Sequence, residues 1–193
     1  GDGINDAPSL VAADLGIGMG GIGTEVAKQA ADLILLDDSF SSIISAIEQG
    51  RHIFYTLRRV ILYFFSTNMG EILIVLFAFV YGLFLPGDDI PLPLTAAQIL
   101  WLNLITDGFL DVALSVEPQE KDLLLNSDWL RHKLRLVDLN VLLKMLYAAI
   151  PMGIGSLALF LVYYHSYVVL ARTMCLMSMA LFQWFNAWNC RSE

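Results

Sequence analysis

Six polar side chains interrupt two long apolar stretches of this sequence. All six carry oxygen atoms, and they are Asn68, Glu71, Asn103, Thr106, Asp107 and Asp111. An ionisable side chain at membrane depth costs about 3 kcal/mol or more to insert, so such residues are kept where they face one another or an ion. Their chemistry predicts a cation site inside a lipid bilayer. Hydrogen bonding between helices, without an ion, is the alternative.

The spacing of these residues supports the same prediction. Within each stretch they recur at three or four positions, so they share a helix face. Two such faces would bring together six oxygen-bearing side chains, and calcium or magnesium binds six to eight oxygens. Sodium and protons would also suit the site. Gly70 and Gly108 each adjoin a carboxylate, and we expect the helix to loosen there and free backbone carbonyls for an ion.

Four apolar stretches are long enough to carry these residues through a membrane. The chain has 193 residues, of which 57% are hydrophobic, against about 45–50% in soluble domains. About 20 apolar helical residues cross a hydrocarbon core of roughly 30 Å. The predicted spans are residues 60–85, 94–116, 138–163 and 168–188. We therefore expect residues 60–193 to form a transmembrane domain.

The charges indicate which side each loop faces. A net charge of −8 without a basic stripe argues against a nucleic-acid partner. Lysine and arginine cluster before the first span, in the loop after the second and behind the fourth, whereas the other two loops lack them. The positive-inside rule then places both ends and the central loop in the cytosol. Tyr63, with the arginines before it, is predicted to anchor the first span.

The residues before the spans are predicted to fold differently. The decapeptide GDGINDAPSL is predicted to be a tight acidic loop, and residues 12–19 are predicted to form a strand. A helix from the N-cap Thr24 to Ala31 follows, then a buried parallel strand at residues 33–36 and a helix from Ser41. This order predicts an α/β layer that is too short for a whole domain. The last helix is expected to continue as a stalk directly into the first span.

The acidic loop is a second place where chemistry could occur. Asp2 and Asp6 are four positions apart among glycines, with Asn5 between them. A loop of this kind after a strand can hold a divalent metal next to a phosphate group. A simple acidic turn is the alternative.

Taken together, three motifs resemble those of the P-type cation-transporting ATPases, most closely the calcium-pump-like branch. They are GDGINDAPSL, NMGE in the first span and NLITDG in the second, and they occur in family order over essentially the whole chain. The resemblance implies a mixed fold. Residues 1–40 would end a phosphorylation domain of haloacid-dehalogenase-like α/β fold, residues 41–59 would form the stalk helix, and the spans would be membrane helices five to eight of a polytopic bundle.

The resemblance also assigns roles to individual residues. It implies that Asp2 is a magnesium ligand beside the phosphorylated aspartate and that Asn5 and Asp6 shape the phosphate site. Binding of the transported cation is implied for five residues, namely Asn68, Glu71, Asn103, Thr106 and Asp107. Gln183 stands where relatives carry a further acid on the eighth helix, and Asp111 is an extra acid that could replace the missing charge.

The function implied is export of a cation, with calcium favoured, through an aspartyl-phosphate intermediate formed from ATP and Mg²⁺. Protons, or sodium with or without potassium counter-transport, are the alternative ions. A non-catalytic membrane fragment or subunit is the alternative of another class. The sequence has no DKTGT phosphorylation motif, nucleotide domain, actuator loop or fourth helix. We therefore expect it to be the C-terminal part of a pump, with the lipid bilayer and the other domains of that pump as partners.

Overall fold

The computed structural model describes residues 1–84, 91–118 and 135–191. The described chain divides into two compact units, with the boundary between His52 and Ile53. Most of the predicted central cytosolic loop, with Lys121, Arg131 and Lys133, lies outside the described residues, as do Asp88 and Asp89 of the loop after the first span.

The first unit contains a small parallel sheet with helices. A 3₁₀ turn at Ile4–Asp6 leads into α1, Ala7–Ala12, and β1, Ile17–Met19, precedes α2, Glu25–Ala30, and β2, Leu33–Leu35. The strands pair in parallel, with Ile17 opposite Leu33, as the sequence predicts. Thr24 caps α2, also as predicted, because its hydroxyl accepts a hydrogen bond from the Ala27 amide at 3.4 Å.

Three local predictions for this unit are wrong. The acidic decapeptide is not all loop, because Pro8 lies in the first turn of α1, where its missing N–H is not needed. The first strand is shorter than residues 12–19, since Ala12 still belongs to α1. The second strand is not fully buried: Leu33 and Ile34 are each 44% exposed, because β1 is its single strand neighbour in the described chain.

The second unit is a bundle of helices. The helix α3, Phe40–Phe84, begins in the first unit and runs without a break for 45 residues. Next come α4, Ala96–Trp101, a π-helical segment, Leu102–Asp107, and α5, Gly108–Ser115, which together make one span. The last two helices are α6, Leu139–Tyr163, and α7, Val168–Arg191. All four spans are long and apolar enough to cross a membrane, which confirms the predicted number.

The prediction that one helix runs from about Ser41 into the first span is confirmed by α3. At about 1.5 Å per residue, its 45 residues extend roughly 68 Å, more than twice a hydrocarbon core of about 30 Å. The helix stays regular through Gly70, so the predicted loosening at that glycine is wrong. A Cβ there would lie 3.1 Å from the Met152 Cβ of α6 and 3.1 Å from the Met179 Cε of α7. Gly70 therefore allows close packing of three helices.

Candidate cation site between the membrane helices

The second span departs from α-helical geometry at the residues predicted to bind a cation. Asn103, Thr106 and Asp107 all lie in the π-helical segment, whose last hydrogen bond runs from the Gly108 amide back to the Asn103 carbonyl. Short π-helical stretches within α-helices often occur at functional sites. The predicted loosening near Gly108 is thus present, but it precedes the glycine, which itself has ordinary helical dihedrals (φ −58°, ψ −42°).

Glu71 is held between side chains from two other spans. Its Oε2 accepts a hydrogen bond from the Asn103 Nδ2 at 3.3 Å, and its Oε1 accepts one from the Gln183 Nε2 at 3.2 Å. Glu71 is buried, and Gln183 on α7 is completely buried. The structure therefore brings together three of the predicted residues, one from each of three spans, around one carboxylate.

Asp107 has a partner that the sequence prediction missed. The Tyr63 hydroxyl of α3 donates to the Asp107 Oδ1 at 2.9 Å, and Asp107 is only 1% exposed. Tyr63, which is predicted to anchor the first span, is fully buried. One signal was available, since Tyr63, Thr67 and Glu71 recur every four positions and so lie along one helical stripe. The Asp107 Oδ2 is buried and has no hydrogen-bond partner within the described chain.

The remaining predicted residues differ in how closely they join this cluster. Asn68 is partly buried, and its Nδ2 donates to the Phe64 carbonyl of its own helix at 2.8 Å. With Glu71 and Asn103 it lines a cavity of about 670 Å³. Thr106 is buried.

Asp111 lies one turn beyond Asp107. It is partly buried, and its Oδ1 is a buried oxygen without a hydrogen-bond partner in the described ranges. The Gln183 Oε1 is likewise buried and has no hydrogen-bond partner among the described residues.

A second polar contact between α3 and α7 extends the cluster. The Asn186 Nδ2 donates to the Ser66 Oγ at 2.6 Å, and the Ser66 Oγ donates to the Tyr63 carbonyl at 2.8 Å. Asn186 and Ser66 are both buried. The sequence signal for Asn186 was its position three residues after Gln183, which places both on one face of α7.

The oxygens of the site come from a mixture of acids, amides and hydroxyls. In the described part of the chain, no three residues among His, Cys, Asp and Glu are grouped closely enough to hold a metal ion. Any cation between these helices would therefore be bound by carboxylates together with amide, hydroxyl or backbone oxygens. Hard cations accept such oxygen ligands.

Polar contacts also join the ends of the spans. The Arg58 Nη2 of α3 pairs with the Asp138 Oδ2 before α6 at 3.1 Å, and the Arg191 Nε of α7 pairs with the Glu117 Oε1 after α5 at 2.7 Å. The opposite ends of two spans are joined where Arg172 donates to the carbonyl of Leu92 at 3.0 Å. These contacts make the first span parallel to the third and the second parallel to the fourth. The first and second spans run in opposite directions, because Tyr63 contacts Asp107 whereas the later Glu71 contacts the earlier Asn103, so the four spans alternate in direction.

The acidic loop of the first unit has a geometry of its own. The Asp6 Oδ2 accepts hydrogen bonds from the Asp2 amide at 2.9 Å and the Gly3 amide at 3.1 Å. These two bonds hold the pKa of the Asp6 carboxyl below its ordinary value, and the bond from the Gly3 amide has the larger effect. The side chains of Asp2 and Asn5 are exposed. Asp6 thus shapes the loop, and Asp2 presents a carboxylate to the surroundings.

Comparisons with known proteins agree with these features. Residues 91–193, more than half of the chain, match the sequence model of a protein family described as "Cation transporting ATPase, C-terminus". The chain is 39% identical over 197 residues to a calcium-transporting ATPase of Bacillus subtilis (strain 168). It is 37% identical over 195 residues to calcium-transporting ATPase 1 of Schizosaccharomyces pombe, and 37% identical over 197 residues to the human calcium-transporting ATPase type 2C member 1.

Each of these alignments covers 100% of this chain, but only 21%, 21% and 20% of the respective relative. The chain therefore spans about a fifth of the length of the curated relatives that it matches.

Proposed function

Because this chain belongs to the cation-transporting ATPases, whose C-terminal part it matches, we propose that the complete protein is an ATP-driven P-type pump that transports calcium across a membrane. The observation that carries the proposal is the contact of Glu71 with Asn103 and Gln183, which joins three membrane helices around one buried carboxylate. The names of the relatives favour calcium over protons or sodium as the transported ion.

In this proposal, Glu71 and Asp107 supply the charged oxygens of the cation site. Asn68, Asn103 and Thr106 supply neutral ones. Two amides now direct their N–H groups at Glu71, and an N–H group cannot ligate a cation. If these amides ligate the ion, each would break its hydrogen bond to Glu71 and rotate by half a turn to present its oxygen instead. The buried Oε1 of Gln183 has no partner in the described chain to hold it back.

The first unit would form the C-terminal part of the phosphorylation domain. We propose that residues 1–40 are the end of a haloacid-dehalogenase-like domain and that residues 41–59 of α3 are its stalk. The exposed carboxylate of Asp2 fits a magnesium ligand, whereas one oxygen of Asp6 is already committed to two loop amides. Magnesium bound there would neutralise charge during phosphoryl transfer. ATP would be bound by parts of the pump outside this chain.

The orientation in the membrane is also part of the proposal. The ion pairs of Arg58 with Asp138 and of Arg191 with Glu117 mark one face of the bundle, which holds the stalk side of α3 and the end of α7. Basic residues mark the cytosolic side of membrane proteins. We therefore place this face, and with it both ends of the chain, in the cytosol.

The test is phosphoenzyme formation by the complete protein. Labelled ATP would be supplied while calcium, sodium and pH are varied separately, with Glu71→Gln and Asp107→Asn as variants that each remove one charge from the site. We expect phosphorylation to require micromolar calcium and both variants to need far more of it. Phosphorylation that depends on sodium or on pH, and does not depend on calcium, would instead identify one of the alternative ions as the transported one.

A matched control removes a charge away from the site. Glu117 pairs with Arg191 after the end of α5, so Glu117→Gln changes the net charge by the same amount without touching the cluster. We expect this variant to keep the calcium dependence of the unchanged protein. A response equal to that of Asp107→Asn would show that the assay reports total charge and not the cation site.

A further inference from the structure

Asp111 is an acid of the membrane helices that lacks an evident structural role. It lies on the first turn of α5, one regular helical turn after Asp107, so the two carboxylates share a helix face. Its Oδ1 is buried without a hydrogen-bond donor among the described residues. It is close enough to Asp107 and Tyr63 to interact electrostatically with both.

The hydrogen bonds of the neighbouring acids are distributed unevenly. Both oxygens of Glu71 accept N–H groups. The Asp107 Oδ1 accepts a hydrogen bond from Tyr63, and Thr67 also interacts with this carboxylate, while its Oδ2 is buried and has no partner by hydrogen-bond geometry in the described chain. The unsatisfied carboxylate oxygens thus lie on two successive turns of one helix, at Asp107 and Asp111.

Among the described residues, no ion pair joins an arginine to Asp107 or Asp111. Arg58 pairs with Asp138, and Arg191 pairs with Glu117. Two like charges one turn apart destabilise a helix, and buried charges in proteins are paired or coordinate metals. A divalent cation that contacts both carboxylates would relieve the repulsion and satisfy both free oxygens.

We propose that Asp111 is an affinity-determining residue of the cation site, where it supplies a second carboxylate to the ion that Asp107 binds. This inference rests on the proposed transport of calcium and extends it to a residue outside the five matched positions. The transported ion would then lie between Asp107 and Asp111 on the second span. The extra carboxylate would strengthen binding of a divalent cation more than that of a monovalent one, because Coulomb attraction scales with the ion's charge.

The experiment uses the complete protein and calcium-dependent phosphorylation by ATP. Asp111→Asn keeps the size of the side chain and removes its charge, Asp111→Ser is a second neutral variant, and Asp111→Glu keeps the charge. We expect the calcium concentration for half-maximal phosphorylation to rise at least tenfold in the neutral variants, equivalent to about 1.4 kcal/mol. For Asp111→Glu, this calcium concentration should stay within about threefold of that of the unchanged protein, because glutamate keeps the negative charge; a threefold change corresponds to about 0.7 kcal/mol.

Two controls make each outcome decisive. Glu117→Gln removes a charge after the same helix and should leave the calcium dependence unchanged. Phosphorylation by inorganic phosphate without calcium reports whether each variant is folded. If either neutral variant is folded and has the calcium dependence of the unchanged protein, the inference is overturned and calcium transport stands. If both neutral variants lose even the reaction with phosphate while Asp111→Glu keeps it, Asp111 is structural and the inference also falls. If the unchanged protein ignores calcium, both proposals fail.

Discussion

Replacing Gly70 by alanine is expected to destabilise the helix bundle, whereas the same change at Gly50 is expected to stabilise the protein. Both glycines lie in the interior of α3. A Cβ at Gly70 would lie 3.1 Å from the Cβ of Met152 and 3.1 Å from the Cε of Met179, whereas a Cβ at Gly50 would have no neighbour within 4 Å. The methyl group of Met179 can swing aside. The Cβ of Met152 can yield only if α6 moves.

The size of the effect follows from comparing the two variants. Alanine is favoured over glycine inside a helix by about 0.5–1 kcal/mol, and this gain applies at both positions. Insertion of a methyl group into a well-packed interior costs about 1–3 kcal/mol, and this cost applies at Gly70 alone. The difference between the variants therefore isolates the packing cost, about 1–3 kcal/mol.

The assay is thermal inactivation of the complete protein at one temperature. Rates are preferred to a melting point because large membrane proteins commonly unfold irreversibly. A difference of about 1–3 kcal/mol in the barrier corresponds to roughly 5- to 150-fold in rate, with Gly70→Ala the faster to inactivate. The Gly70 variant should also bind calcium less tightly, because separation of α3 from α6 shifts the adjacent Glu71. If Gly70→Ala inactivates no faster than Gly50→Ala, the three helices do not pack as described.

Three further predictions concern single polar contacts. Tyr63→Phe removes the donor to Asp107, and a hydrogen bond to a charged group is worth about 1.5–3 kcal/mol, so thermal inactivation should accelerate. Calcium should reduce that acceleration, because the bound ion would neutralise the Asp107 carboxylate. If the acceleration is the same with and without calcium, Asp107 does not bind the ion. Asp138→Ala removes the N-cap of α6 and the ion pair with Arg58, which should lower the barrier to thermal inactivation by about 1 kcal/mol. Asp138→Asn can still cap the helix, so it should lower this barrier by less. The lowered pKa of Asp6 means that its hydrogen bonds stabilise the loop fully above the ordinary pKa of about 4 and are lost as the pH falls through the lowered value. Hydrogen-exchange protection of the loop amides should therefore fall only in that acidic window, and a loss of protection between pH 7 and pH 5 would argue against the prediction.

The spans could be predicted from the sequence because length and hydropathy are local properties. All four predicted spans overlap helices of the structure, and the third begins within one residue of the start of α6 at Leu139. The acids inside them were equally visible, since a charge in an apolar stretch needs no structural context to stand out. Helix α1 was missed because its short segment follows a glycine-rich acidic turn, which composition alone assigns to a loop.

The partners of the acids could not be predicted in the same way. Tyr63 and Gln183 are hydrogen-bonded to acids 44 and 112 positions away in the sequence, so their contacts depend on how the helices pack. The widening of the second span at Leu102–Asp107 was also not specified, because a change from i−4 to i−5 hydrogen bonding leaves no signature in composition. Glycine at position 108 suggested an irregularity but not its location.

The depth of the cluster strengthens the argument that it binds an ion. Glu71 lies 13 residues after Arg58 and 13 before Phe84, or about 20 Å of helix from each. Gln183 lies 11 residues from Arg172 and 8 from Arg191, or about 17 and 12 Å of helix. Those arginines are joined to other spans at opposite ends of the bundle, so the side chains of Glu71 and Gln183 belong to its middle.

The middle of a bilayer is where an uncompensated carboxylate costs most, and neutral amides could be replaced there by apolar side chains of similar volume without loss of packing. Amides around Glu71, together with two carboxylate oxygens on the neighbouring span that have no hydrogen-bond partner among the described residues, are what we expect if the proposed cation binds and leaves there.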